Sequence, residues 1–122
     1  MKKFEGKNSH FTITEKDNIT IVSLAGKIFT EYDDLLVFQE QIAAVYKNKT
    51  HIVFNLSDVS YINSRGIKEI VTLHKNRIGS RVNLVIADAR SSVNDVLEAM
   101  NLTDEIRLVP TVKDAVDLLK AN

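Results

Sequence analysis

The sequence contains no cysteine, and this absence excludes three kinds of chemistry at once. Without a thiol there is no disulfide, no thiolate metal site and no cysteine nucleophile. The 122 residues also include only one proline and four glycines, too few for a collagen-like chain or a low-complexity linker. With 44% hydrophobic residues, the chain can form a core and is not intrinsically disordered.

Neither positive nor negative charge is in excess, because 16 Lys and Arg residues balance 16 Asp and Glu residues. A general electrostatic attraction to nucleic acid or to anionic lipid is therefore missing, and we expect neither as a partner. Apolar runs fall short of the roughly 20 residues that a membrane span needs, and residues 4–9 are too polar for the core of a signal peptide. We expect a single domain over residues 1–122, with no membrane span, in the cytoplasm.

The first third of the sequence predicts an antiparallel hairpin. Residues 10–16 alternate in polarity and place Phe11 and Ile13 on one face, which indicates a half-buried strand. Asp17 and Asn18 follow as a turn, and a β-branched run over residues 19–24 indicates the second strand, ended by Gly26.

Beyond residue 33 the apolar period changes to that of amphipathic helices alternating with short strands. The predicted helical stripes are Leu35, Phe38, Ile42 and Val45; Ile67, Ile70, Val71, His74 and Ile78; Val93, Val96, Leu97 and Met100; and Val112, Ala115, Val116 and Leu119. Strands are predicted at residues 51–56, 82–87 and 106–109. Gly79 is expected to close the second helix, and Thr111 to cap the last one. This order predicts an α/β fold: a mixed, mostly parallel sheet with an N-terminal β-hairpin and about four helices.

In such sheets functional loops gather beyond the carboxyl ends of the strands, here residues 27–33, 58–66 and 88–92. The segment 58–66 predicts a strand end at Leu56 and a helix start near Ser64. Two interpretations of Ser64 stay open. Its side chain caps the helix, in which case Ser64→Ala should cost about 1 kcal/mol; or it accepts a phosphoryl group, which the helix dipole and first amides suit, with Gly66 allowing close approach.

Residues 52–67, IVFNLSDVSYINSRGI, resemble the central signature of STAS domains, the domains of anti-sigma factor antagonists. In that signature an apolar strand precedes Asp, apolar, Ser, two apolar residues, Asp, Ser, Ser or Ala, Gly, apolar and Gly. Residues 21–26, 82–87 and 93–104 resemble the neighbouring strands and helix of the family. The resemblance covers nearly the whole chain, in order and without long insertions.

This resemblance implies a protein-binding module and not an enzyme, with no cofactor. In bacterial members an anti-sigma factor that is also a serine kinase phosphorylates the serine that corresponds to Ser64. The unphosphorylated antagonist binds the anti-sigma factor and frees the sigma factor, and a serine phosphatase resets the switch. Asp58 and Gly66 also match the signature.

Three positions depart from the family pattern. Asn63 replaces an aspartate, Arg65 a small residue and Lys68 a glycine. Arg65 and Lys68 lie off the apolar stripe, so we expect both to be exposed beside Ser64 and to meet a more acidic partner than is usual in the family. The residues expected to bind the partner are Asp58, Asn63, Ser64, Arg65, Gly66 and Lys68.

Two other functions remain as alternatives. One is a non-switching STAS scaffold in a larger assembly, such as a lipid-transport complex; the other is a small enzyme with a site at the strand ends. Ser64, His74 and Asp88 include the groups of a hydrolase triad, but no Gly-x-Ser-x-Gly elbow accompanies them. The three histidines lack metal-ligand spacing, and no glycine-rich phosphate loop occurs.

Two further helix starts carry minor expectations. Ser91 and Ser92 are expected to cap the third helix, because serine is a strong capping residue. The acidic residues Glu31, Asp33 and Asp34 are expected to form a solvated start of the first helix.

Overall fold

In a computed structural model of the chain, six strands form one mixed sheet against which four helices pack, counted over residues 2–6, 9–28, 32–47, 50–75, 83–101 and 106–120, which the structure describes. The elements are β1 (Lys2–Glu5), β2 (Ser9–Lys16), β3 (Ile19–Ile28), α1 (Tyr32–Lys47), β4 (His51–Ile62), α2 (Ser64–Lys75), β5 (Leu84–Ala87), α3 (Ser91–Ala99), β6 (Arg107–Val109) and α4 (Val112–Lys120).

The strands lie in sequence order across the sheet, from β1 to β6. The pairs β1–β2 and β2–β3 are antiparallel, whereas β3–β4, β4–β5 and β5–β6 are parallel. The predicted mixed, mostly parallel α/β fold with an N-terminal hairpin is thereby confirmed. Helices α1, α2 and α3, which connect the parallel strands, pack on one face of the sheet, and α4 covers the other.

The hairpin between β2 and β3 turns through Asp17 and Asn18, as predicted. Both residues have positive φ angles, 54° and 65°, which is the backbone of a type I′ turn. Asp and Asn tolerate this region better than other residues with a side chain, so the turn forms without glycine.

The main core lies between the sheet and the layer of α1, α2 and α3. All four residues of the predicted α1 stripe are buried there, and the ring of Phe38 packs edge-on against Phe11 at 5.5 Å. Strand β4 is buried on both faces: Phe54 lies in the main core, and Val53 packs in a second cluster with Ala115 and Leu119 of α4. This double burial is what the continuous apolar run over residues 51–56 predicts.

Some predicted boundaries and stripes are wrong. Strand β1 was not predicted; its Phe4 is half-buried opposite Phe11 on β2. In α3 only Val93 and Leu97 are buried. The side chains of Val96 and Met100 are exposed, so the buried face of this nine-residue helix is narrower than predicted.

In α2 the buried residue of the third turn is Leu73, and His74 is half-buried. Three positions of these predictions lie outside the described residues: Ile78 of the α2 stripe, Gly79 at its expected end and Val82 at the expected start of the next strand. At the last helix the prediction holds: the Asp114 amide donates to Thr111 Oγ1 at 3.0 Å, so Thr111 caps α4.

The acidic start of α1 is not solvated as expected. Asp34 is only 4% exposed and accepts a hydrogen bond from the buried Ser9 Oγ at 2.9 Å. A Cβ atom built on Gly6 would overlap this carboxylate, so Gly6, which follows β1, packs directly on the helix start. Glu31 and the side chain of Asp33 lie outside the described residues. The prediction failed because Asp34 is covered by a hairpin whose first strand has no clear signal in the sequence.

We predict that Ser9→Ala destabilises the fold. The substitution removes a buried hydrogen bond to a charged group, so the free energy of unfolding should fall by roughly 1.5–3 kcal/mol. Urea denaturation measures this change. Ser60→Ala, at an exposed position of β4, is the control and should change the free energy by less than about 0.5 kcal/mol. Equal values for the two variants would contradict the role assigned to this bond.

Candidate functional site

The junction between β4 and α2 is tighter than predicted. Strand β4 continues to Ile62, six residues past the predicted end at Leu56, and pairs with β3 along this extension. Two register shifts interrupt that pairing, so the buried residues Leu56, Val59 and Ile62 are three apart rather than two. The alternation of buried and exposed residues that indicates a strand is therefore absent from this part of the sequence. The prediction of a loop over residues 58–66 is wrong. Only Asn63 separates strand from helix.

The other two predicted functional loops are also shortened. Strand β3 continues to Ile28, and residues 29–31 lie outside the described residues. After β5 the chain passes through Asp88, with a φ angle of 62°, and Arg90 Nε donates to the Ser57 carbonyl oxygen at 2.9 Å. Arg90 is the N-cap residue of α3 and makes no side-chain capping bond, so the expected capping by Ser91 or Ser92 is wrong. Ser91 is instead the first residue of the helix.

Asn63, not Ser64, caps α2. The Gly66 amide donates to Asn63 Oδ1 at 3.0 Å, and the Ile67 amide donates to the Asn63 carbonyl oxygen at 3.1 Å. Asparagine is as strong an N-cap as serine, so one capping residue at the strand end is sufficient. The capping interpretation of Ser64 is therefore wrong. Ser64 is the first residue of the helix, and its side chain is exposed.

The start of α2 is positively charged. Arg65 and Lys68 are exposed, as predicted, and the first turn contains no acidic residue. Lys68 lies four residues after Ser64, which makes the two side chains neighbours on the helix surface. The positive end of the helix dipole adds to these two charges. An exposed hydroxyl group thus lies in a local positive potential.

The structure does not bring all the predicted site residues together. Asn63, Ser64, Arg65 and Lys68 lie together at the start of α2, with Lys68 one turn after Ser64, and Gly66 is buried beneath them. Asp58 is exposed on β4, opposite Ala25 of β3, where it lines a shallow depression of about 120 Å³ together with residues that include His10 and Ser23. Asp58 therefore belongs to the strand and not to the helix start.

Two exposed apolar side chains near this end of the sheet were not predicted as site residues. Tyr61 is 50% exposed at the end of β4, and Leu36 is 43% exposed in the second turn of α1. Helix α1 contacts α2 through a hydrogen bond of 2.8 Å from Gln39 Nε2 to Glu69 Oε1. The only sequence signal for Leu36 is its position off the buried α1 stripe.

The positions of the described residues bear on three other possibilities: a hydrolase triad, a metal site and a membrane span. Ser64 and His74 lie ten residues apart in one helix, which separates them by about 15 Å along its axis, so they cannot form a hydrolase triad with Asp88. In the part of the chain that the structure describes, no three His, Asp or Glu side chains are grouped as they would be to hold a metal ion. None of the described helices combines the length and apolar character that crossing a bilayer requires.

Comparison with known proteins gives one family and several similar folds. The family model for the STAS domain matches residues 10–115. An anti-sigma factor antagonist from Mycobacterium paratuberculosis is 21% identical, with a TM-score of 0.81 over 92% of this chain and 94% of that one. The anti-sigma factor antagonist SpoIIAA in its unphosphorylated form is 14% identical, with a TM-score of 0.73 over 92% and 97% of the two chains.

A membrane transporter contains a similar fold. The murine Slc26a9 anion transporter is 18% identical, with a TM-score of 0.70 over 89% of this chain but only 19% of the transporter. At such identities these structures establish the fold alone.

The capping geometry predicts different costs for two adjacent alanine substitutions. Asn63→Ala should lower the free energy of unfolding by about 1 kcal/mol, because it removes the bond to the Gly66 amide. Ser64→Ala should change it by less than about 0.5 kcal/mol, since the exposed side chain takes no part in the cap. Urea titrations of both variants test this order, and a larger loss for Ser64→Ala would show that the helix begins elsewhere.

Proposed function

The chain belongs to the STAS domain family, and on that premise we propose that it is an anti-sigma factor antagonist whose binding is controlled by phosphorylation of Ser64. One observation carries the proposal: Asn63 makes the capping bond, so the Ser64 hydroxyl is exposed at the first position of α2 and takes no part in the cap. A kinase can reach this hydroxyl without disturbing the helix start.

The chain acts as the substrate of enzymes and not as an enzyme. An anti-sigma factor that is also a serine kinase transfers the γ-phosphoryl group of ATP to Ser64 Oγ. An O–P bond forms, the bond to ADP breaks, and the hydroxyl proton passes to a base of the kinase. A serine phosphatase later adds water to the phosphoserine and releases inorganic phosphate. These partners act in the cytoplasm, and no cofactor of the chain is needed.

The switch is electrostatic. Phosphate adds a charge of roughly −1.5 to −2 at the centre of the contact surface. A complex that buries Ser64 would then have to desolvate this charge and hold it against the partner, at a cost on the order of several kcal/mol. Because a few kcal/mol move a binding equilibrium from mostly bound to mostly free, one phosphate is sufficient.

A second candidate is a non-switching STAS scaffold within a larger assembly. Two observations favour it: Arg65 and Lys68 depart from the family signature beside Ser64, and a similar fold occupies a small part of the murine transporter. In this case Ser64 is never phosphorylated, and the positive first turn of α2 binds a constant partner.

We predict that Ser64 is the main phosphorylation site. After incubation with ATP and a candidate serine kinase encoded beside the gene, tryptic mass spectrometry should find phosphate in the peptide over residues 50–65, and fragmentation should locate it on Ser64. Ser64→Asp should lower the affinity for the partner of the unphosphorylated chain at least tenfold, or about 1.4 kcal/mol. Ser64→Ala should bind but not dissociate when ATP is added.

The matched control for this switch is Ser91→Asp. Ser91 is also exposed at the first position of a helix, so the control places the same charge in the same local backbone. Its affinity should equal that of the wild type. Phosphate found only on Ser91 or Ser92, or equal affinity for the wild type and Ser64→Asp, would contradict the switch and favour the scaffold.

We also predict that the two cations of α2 select an acidic partner. Arg65→Gln combined with Lys68→Gln should weaken binding and flatten its dependence on salt between low and physiological ionic strength, because screened charge pairs are lost. Lys75→Gln, at the exposed far end of α2, is the control and should leave both quantities unchanged. Affinity that is unaltered across the salt series would show that the cations do not face the partner.

A further inference from the structure

We infer that the binding surface extends from α2 onto α1, with Leu36 as its apolar contact, and that partner carboxylates and a phosphate on Ser64 compete for the same two cations, Arg65 and Lys68. The inference rests on the proposed function for the existence of a protein partner. It identifies the chemistry of that partner: an apolar side chain flanked by acidic ones.

The placement of Leu36 follows from the packing of the two helices. Both α1 and α2 connect parallel strands on the same face of the sheet, so they run in the same direction. The hydrogen bond between Gln39 and Glu69 sets their relative level. Leu36 lies three residues before Gln39, and Arg65 four residues before Glu69. These two side chains therefore lie at one level, a turn nearer to Ser64.

The exposed surface between α1 and α2 differs in chemistry along its length. Nearest to Ser64 it presents Leu36 and Arg65 at one level, and Lys68 follows one turn after Ser64; all three are exposed. One turn further along, its exposed and half-buried groups become polar or acidic: Gln39, Glu40 and Glu69. Leu36 and Arg65 thus lie nearer to the proposed phosphorylation site than the acidic groups do, and Lys68 lies next to Glu69 at the boundary between the two parts.

Single exposed leucines are common on protein surfaces, so the significance of Leu36 depends on its position near Arg65. Apolar contacts at the centre of a polar rim provide much of the binding energy of protein interfaces, and charges around them select the partner. Two cations beside Leu36 select carboxylates. The partner face that fits is therefore an apolar residue among Asp or Glu side chains.

The same arrangement explains how phosphorylation releases such a partner. Lys68 lies one helical turn after Ser64, and side chains in helices point back towards the preceding turn. A phosphate on Ser64 would accept hydrogen bonds from Lys68 and from the adjacent Arg65. Both cations would then be withdrawn from the partner, whose carboxylates would face a like charge.

Site-specific crosslinking tests the surface by capturing the protein that occupies it. The photoreactive residue p-benzoylphenylalanine is placed at position 36, at position 61 or at position 100, and the full chain is irradiated in its native host. Leu36, Tyr61 and Met100 are similarly exposed, so each variant offers the probe equal access. We expect a covalent adduct from position 36, mapped by mass spectrometry to a partner peptide rich in Asp and Glu, and none from position 100.

Affinity measurements with the purified partner, once the crosslink has identified it, complete the test. Leu36→Ala should weaken binding at least about fivefold, whereas Met100→Ala should not alter it. Adding Ser64→Asp should remove most of the salt dependence that Arg65 and Lys68 provide. Urea denaturation of each variant checks that the fold is retained, which is expected because both substituted side chains are exposed.

The outcomes separate this inference from the proposed function. An adduct from position 61 but not from 36, no adduct at all, or a partner peptide without acidic residues would overturn the α1–α2 surface. If the adduct forms from position 36 with an acidic protein that is not a kinase, and Ser64 is unmodified, the surface stands and the anti-sigma factor function fails.

Discussion

The burial of β4 on both faces is the constraint from which the arrangement of this protein follows. Phe54 has to meet the layer of α1, α2 and α3, while Val53 has to meet α4, so the strand is held at the centre of the sheet. The extension beyond Leu56 keeps this burial on one face through Val59 and Ile62. As a result the strand ends directly at Asn63, and the start of α2 is held by the core and not by a loop.

Much of the fold could be predicted because the decisive signals are local periodicities. The α1 stripe, the turn at Asp17 and Asn18 and the cap at Thr111 each depend on a few neighbouring residues. The errors occur where contacts between distant parts of the chain determine the local structure. Strand β1 pairs along the edge of β2, and Asp34 is buried against Gly6 and Ser9, about 25 residues away in the sequence.

The start of α2 near Ser64 was predicted, but with two neighbouring residues exchanged in role. Asn63 and Ser64 are equally able to cap a helix, so local propensity cannot choose between them. The choice is made by the end of β4, and that end is hidden in the sequence because the register shifts change the spacing of its buried residues. The same shifts place Asp58 in the strand, away from the first turn of α2.

The identity of the cap then determines the electrostatics of the site. Asparagine accepts the Gly66 amide with its side-chain oxygen, as an aspartate would, but brings no negative charge. With no acid in the first turn, the helix dipole, Arg65 and Lys68 act in one direction. Charges of this kind stabilise an acidic partner and a phosphoserine alike, and an equilibrium responds only to the difference between its two states. The proposed switch at Ser64 is therefore strongest when the phosphate and the partner's carboxylates compete for Arg65 and Lys68 and cannot be paired with them at the same time.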